Sequence, residues 1–237
     1  VTTLIFLDGA GKTSNVEGRQ AIGQFGAEGF PFAKEFLEEL TERKKREHEE
    51  AVRNQSLDNL PKTPVYDFPV PADGSKLPVS SLSGKTVGIY FSGHWCKPCQ
   101  KFTPMLVAAY KELKSTGKEF EVVFVSSDHS EDEYREYRAS MPWLALPYGD
   151  KQIKQLNAHF EVEGVPTLVI LDGLGKTVTA DSVGHIAKLG AKAFPFTEER
   201  IAEAEREVAE EKERLMAAQT LETLLITPER DFVLNKS

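Results

Sequence analysis

The sequence predicts an α/β fold with a mixed β-sheet, and three observations predict it. Two apolar, β-branched runs of strand length, "KTVGIYF" at 85–91 and "FEVVFVSS" at 120–127, have the composition of strands buried on both faces. Between them, residues 97–115 carry apolar side chains at helical spacing. Further on, "TLVILDGLGKTVTA" reads as a hairpin. The first three segments make a β-α-β unit with a right-handed crossover to a parallel strand, and the hairpin adds antiparallel pairing.

Each element follows from its residues. In the helix at 97–115, Phe102, Leu106, Ala109, Tyr110 and Leu113 fall on one side. After the second strand come two helices, "SEDEYREYRAS" with Ser130 as its cap and "DKQIKQLNAHF". The hairpin turns between Asp172-Gly173 and Gly175. "TEERIAEAEREVAEEKERLMAAQ" at 197–219 is a charged helix opened by Thr197, and residues 33–53 form its counterpart. Both are charged around most of their circumference, which suits a helix that covers a sheet edge or spaces two modules.

That counterpart belongs to an internal repeat. "VTTLIFLDGAGKT" at 1–13 reappears as "VPTLVILDGLGKT" at 165–177, an offset of 164. At the same offset "GFPF" meets "AFPF", "QSLDNL" meets "QTLETL" and "TPVYDF" meets "TPERDF". Roughly a third of residues 1–73 are identical to 165–237 without a gap. The expected organisation is a remnant of an upstream module at 1–54, one complete module at 55–220, and the start of the next at 221–237. The chain then reads as a fragment of a protein with at least two modules, since a hydrophobic strand at its first residues lacks preceding partners.

Composition narrows the function. A net charge of −8 argues against binding a phosphate backbone, and the cluster Arg43-Lys44-Lys45-Arg46 reads as a solvated helix face. No apolar run approaches the roughly 20 residues that span a bilayer. Nucleic acid and membrane are therefore not expected partners. Two cysteines in the whole chain do not make a disulfide-rich secreted scaffold, so a reducing compartment, cytoplasmic or nuclear, is expected.

Both cysteines lie in "HWCKPCQKF" at 94–102. Structural zinc needs about four ligands; this pair supplies two, and His94, His129, His159 and His185 are scattered, so no metal site is expected. A static staple across so short a loop would constrain the unfolded chain little. Electron exchange with another protein fits best. Cys96 follows a buried strand and Cys99 falls in the first turn of the next helix, with Pro98 where a missing N–H is tolerated. Unpaired helix N–H groups, the positive end of the dipole and Lys97 all favour a thiolate at Cys96. Cys96 is then the nucleophile and Cys99 the thiol that resolves the mixed disulfide.

"YFSGHWCKPCQKFTPML" and "MPWLALPYGDKQIKQLNAHFEVEGVPTLVILD" resemble the thioredoxin fold, and within it the tryparedoxin and nucleoredoxin branch. The similarity covers about 56–190, and the "FPFTEERI" tail with its tandem arrangement is most similar to the multi-module nucleoredoxins of plants. The resemblance implies a central mixed sheet flanked by helices, with a partial second thioredoxin-like module at the N-terminus. It implies a protein-disulfide reductase with no bound cofactor beyond a redox-active Cys96–Cys99 disulfide. Electrons would come from NAD(P)H through an upstream reductase or thioredoxin system, and the substrates would be disulfide-containing proteins. The family's redox centre falls on Trp95, Cys96, Lys97, Pro98 and Cys99; its cis-proline falls on Pro166, presenting the Val165 backbone to an extended substrate. Pro104 matches its helix kink.

Two positions depart from the pattern. Many thioredoxins carry a buried aspartate six residues before the first cysteine; here Tyr90 stands there, which leaves the general base unassigned. The middle dipeptide is Lys-Pro, and such dipeptides tune the potential. In the upstream copy Thr2 replaces Pro166, so that copy is expected to lack the docking turn. Among weaker candidates, His94 either tunes Cys96 or is a partly exposed residue at a strand end. Trp95 is expected on the active-site surface, Trp143 either beside the site or packing a loop, and His129, His159 and His185 in structural or surface roles. Two rival readings remain: a binding module whose redox state switches partner affinity, and an oxidase or isomerase of a secretory compartment.

Overall fold

The computed structural model describes residues 3–56 and 79–218, which divide into two compact units at Gln55. In the larger unit five strands lie in the order β5-β4-β3-β6-β7. These are β3 (Thr86–Ser92), β4 (Phe120–Ser126), β5 (Leu144–Ala145), β6 (Thr167–Leu171) and β7 (Thr177–Thr179). β3 runs parallel to β4 and antiparallel to β6, β4 is parallel to β5, and β6 and β7 form the hairpin. The sheet is mixed, as the sequence predicts. β5 is too short to leave a periodic pattern and is not legible in the sequence.

Side-chain alternation along the strands divides the core. Tyr90, Phe120, Val122, Phe124, Leu168 and Ile170 face one layer, with α3 (Lys97–Ser115), α4 (Glu131–Arg138) and α6 (Val183–Leu189) contributing. Val87, Ile89, Phe91, Val125, Val169 and Leu171 face the other, where Leu156 of α5 (Lys151–His159) packs. Phe102, Leu106, Ala109, Tyr110 and Leu113 of α3 are all buried, which is the stripe their spacing predicts. Ser130, Asp150 and Thr197 each accept a backbone N–H in the first turn of the helix they open.

α7 (Glu198–Ala217) docks through a narrow stripe: Ile201 and Ala204 are buried in the main core cluster, and Val208 packs against it. The helix is therefore a packed part of the module over its first half, which its charge pattern alone does not reveal. Trp143 is 1% exposed, edge-on to Tyr90 and Tyr110. It is a core residue and does not flank the active site.

The smaller unit holds β1 (Phe6–Leu7), β2 (Thr13–Asn15), α1 (Gly18–Phe25) and α2 (Lys34–Arg53) around Ala21, Phe25, Phe32, Leu37 and Leu40. Adding 164 to its residue numbers reproduces β2 as β7 and α2 as α7, residue for residue. The bonds Phe30-Pro31 and Phe194-Pro195 are both cis, and Phe32 and Phe196 both take positive φ, 61° and 71°. The strand expected over the opening residues is confined to Phe6 and Leu7, because β1 has β2 as its one partner among the described residues. The expectations for Thr2 and for 221–237 lie outside the described residues.

Candidate active site

The two cysteines sit where β3 hands over to α3. Cys96 is the N-cap of the helix, extended in backbone, and its Sγ lies 3.2 Å from the Cys99 N–H that it caps. The sulfurs of Cys96 and Cys99 form a disulfide across Cα atoms 5.2 Å apart. Lys97 and Pro98 complete the first turn and are exposed, so the lysine charge lies at the positive end of the helix. Cys99 is fully buried and Cys96 is 5% exposed, which makes Cys96 the more accessible residue of the pair.

Opposite the disulfide stands the turn before β6. The Val165-Pro166 bond is cis, and the Val165 carbonyl oxygen is 3.5 Å from Cys96 Sγ. Residues at 69 positions' separation are thus brought into contact. A cleft of about 460 Å³ runs beside this turn, lined by Glu163, Gly164, Val165 and Pro166 among others. An extended peptide laid there would meet backbone groups and the Cys96 sulfur together.

Trp95 forms the exposed wall of the site. Its indole Nε1–H donates to the Ser127 carbonyl at 2.9 Å, and its ring stacks on His129 at 5.3 Å. The His94 N–H donates to the Asp128 carboxylate, which Ser126 Oγ–H also holds at 2.7 Å. The loop at 126–129 therefore clamps the cysteine loop. His129, expected only in a structural or surface role, stacks on Trp95 and is part of the active-site wall. A signal was present: β3 and β4 are parallel, Ser92 is in register with Ser126, and loops leaving the same ends of parallel strands meet. His94 is half-buried and stacks on Tyr137. His159 and His185 lie elsewhere, against Phe160 and Ser182.

Gly93 keeps the wall in place. A Cβ there would come within 2.7 Å of Trp95 Nε1. Gly93→Ala is expected to swing the indole off Ser127 and His129 while leaving the sulfurs attached to α3. Loss of that one hydrogen bond corresponds to a rise of about threefold to tenfold in KM for a protein disulfide. Steady-state kinetics with unchanged Cys96 alkylation is the check.

Beneath the disulfide, Tyr90 is fully buried. Burial first, and neighbouring Tyr137 second, push its phenol far above the ordinary range, so it remains protonated. It does not take the part of a carboxylate base. Its hydroxyl is hydrogen-bonded to Thr103 and Ser92, and both of these are bonded in turn to the Tyr137 hydroxyl. No group of three or more His, Cys, Asp or Glu able to hold a metal occurs among the described residues, and none of their helices is long and apolar enough to cross a membrane.

Comparisons with known proteins agree with this geometry. A thioredoxin-like family model matches residues 84–177. Probable nucleoredoxin 1 of Arabidopsis thaliana is 41% identical over 86% of this chain, and probable nucleoredoxin 3 of Oryza sativa is 39% identical over 82%. The chain spans only 34% and 41% of the length of those two proteins. Among solved structures, tryparedoxin II from C. fasciculata aligns with a TM-score of 0.54 and 35% identity, covering 60% of this chain and 98% of that one. Strands β3 to β6, the cysteine pair at the head of α3 and the facing cis-proline lie within residues 84–177. The chain belongs to the nucleoredoxin and tryparedoxin family of thioredoxin-like thiol-disulfide oxidoreductases.

Proposed function

We propose that the chain acts as a protein-disulfide reductase through Cys96 and Cys99. The observation that carries this reading is the Cys96 sulfur at the N-cap of α3, 3.2 Å from a backbone N–H and 3.5 Å from the Val165 carbonyl. A thiolate at that point is stabilised by the helix N-terminus and adjoins the surface on which an extended substrate docks. The Cys96 thiolate attacks one sulfur of a substrate disulfide, whose other sulfur leaves as thiolate. Cys99 then attacks Cys96, the second substrate thiolate leaves, and the module is left oxidised.

Electrons would return from NAD(P)H through a separate reductase or thioredoxin system, consistent with an intracellular, cytoplasmic or nuclear setting. Disulfide-bearing proteins would be the substrates. The repeat at offset 164 supports a tandem arrangement, in which residues 1–54 are the end of an upstream module.

Two measurements test the reading. With dithiothreitol as electron donor, the chain is expected to accelerate reduction of insulin disulfides well beyond the reductant alone. In the reduced chain, iodoacetamide at pH 6–7 is expected to label Cys96 about tenfold or more faster than an ordinary free thiol. No acceleration, together with ordinary labelling, would overturn it.

A further inference from the structure

The cleft beside the cis-proline turn carries charge of one sign. It is formed by the segment leading into β6 and the loop after β7, where Glu161, Glu163 and Asp181 contribute carboxylates. No lysine, arginine or histidine lines it among the described residues. Val162, Val165 and Pro166 add apolar surface. The docking surface is fixed independently of the acids, because the Val165 carbonyl oxygen that borders the cleft lies 3.5 Å from Cys96 Sγ.

The carboxylates are held in different ways. Asp181 Oδ1 accepts the N–H of Leu168 at 3.2 Å and that of Val183 at 3.0 Å. Both donors are neutral, so they anchor the carboxylate without cancelling its charge. Glu163 is exposed, and no cation or hydrogen-bond donor pairs with its side chain among the described residues. Its charge is open to whatever enters the cleft. On α3 the sign is opposite: Lys97 follows Cys96 directly, Lys101 lies one turn further, and both are exposed.

We propose that Glu163, together with Asp181 and Glu161, selects protein disulfides whose attacked cysteine has a lysine or arginine within about two residues, an inference that rests on the reductase reading above. An extended substrate advances about 3.3 Å per residue, so a side chain one or two positions from the sulfur falls within reach of the cleft. Lysine and arginine match its lining, since the aliphatic stem covers apolar surface while the charged head reaches the carboxylates. A glutamate at the same place meets three like charges. The selection is directional, because a cation turned toward Lys97 instead is repelled.

Symmetric disulfide dimers of a single-cysteine peptide test the selection. One series places lysine or glutamate two residues before the cysteine and a second series two residues after it. With dithiothreitol as electron donor, each rate is divided by that of the same peptide with dithiothreitol alone, which removes the effect of the charge on the disulfide itself. In at least one series the lysine peptide is expected to exceed the glutamate peptide about fivefold in kcat/KM at low salt, the scale of one or two exposed ion pairs. Glu163→Lys should bring that ratio to about one or below. Glu210→Lys, which changes the net charge equally from the exposed face of α7, should leave it as in wild type. A ratio near one in both series, a preference that survives Glu163→Lys, or an equal loss in Glu210→Lys would overturn the selection. A wild-type chain that accelerates the reduction of none of the peptides would instead remove the reductase reading beneath it.

Discussion

A Cys96→Ser chain is expected to reduce insulin disulfides no faster than the reductant alone, a loss of roughly a thousandfold or more from the intact site. The reason is chemical. A thiolate is the attacking species, and a serine hydroxyl at the same N-cap keeps its hydrogen bond to the helix but does not ionise near neutrality. Cys99→Ser should fail differently, because the attacking sulfur remains while the resolving one is gone. Incubated with a disulfide-bearing protein, that variant should accumulate a mixed disulfide in a ratio of one to one, visible by mass spectrometry and released by dithiothreitol. Equal turnover by Cys96→Ser and wild type would show that the pair is not the reactive centre.

The largest stability loss is expected from Trp143→Ala, at about 3–5 kcal/mol in urea denaturation. The indole is buried edge-on against Tyr90 and Tyr110, and its removal leaves a cavity that two large rings cannot readily collapse into. Trp143→Phe should cost well under half of that. Phenylalanine keeps most of the contact and discards an Nε1–H that finds no acceptor among the described residues. A loss in Trp143→Phe as large as in Trp143→Ala would mean that the indole N–H carries the effect.

The elements that position the site were legible because each is encoded locally. The cap residues Ser130 and Thr197, the stripe from Phe102 to Leu113 and the β-branched runs before and after it act within a few residues, and each lies where its spacing puts it. The cysteine pair at the head of a helix is equally local. What escaped depends on distant partners. The hydroxyls of Tyr90, Ser92, Thr103 and Tyr137 are joined across separations of 2, 13, 34 and 45 residues, and serine, threonine and tyrosine carry no pattern that reveals such pairing. His129 and Asp128 reach the site only because β4 lies in register beside β3. β5 consists of two residues and exists through its pairing with β4. The two Phe-Pro bonds after α1 and α6 match each other in the repeat, but nothing in their spacing marks their geometry.

Cys96 is only 5% exposed, between Trp95 on one side and the Gly164–Pro166 turn on the other. Thiol-disulfide exchange needs the three sulfurs nearly collinear, so the aperture dictates a single angle of attack. A bridge flush with the surface of a rigid partner does not reach it, whereas one on a protruding or locally loosened loop does. Selectivity would then lie in the mechanical state of the target as much as in its side chains.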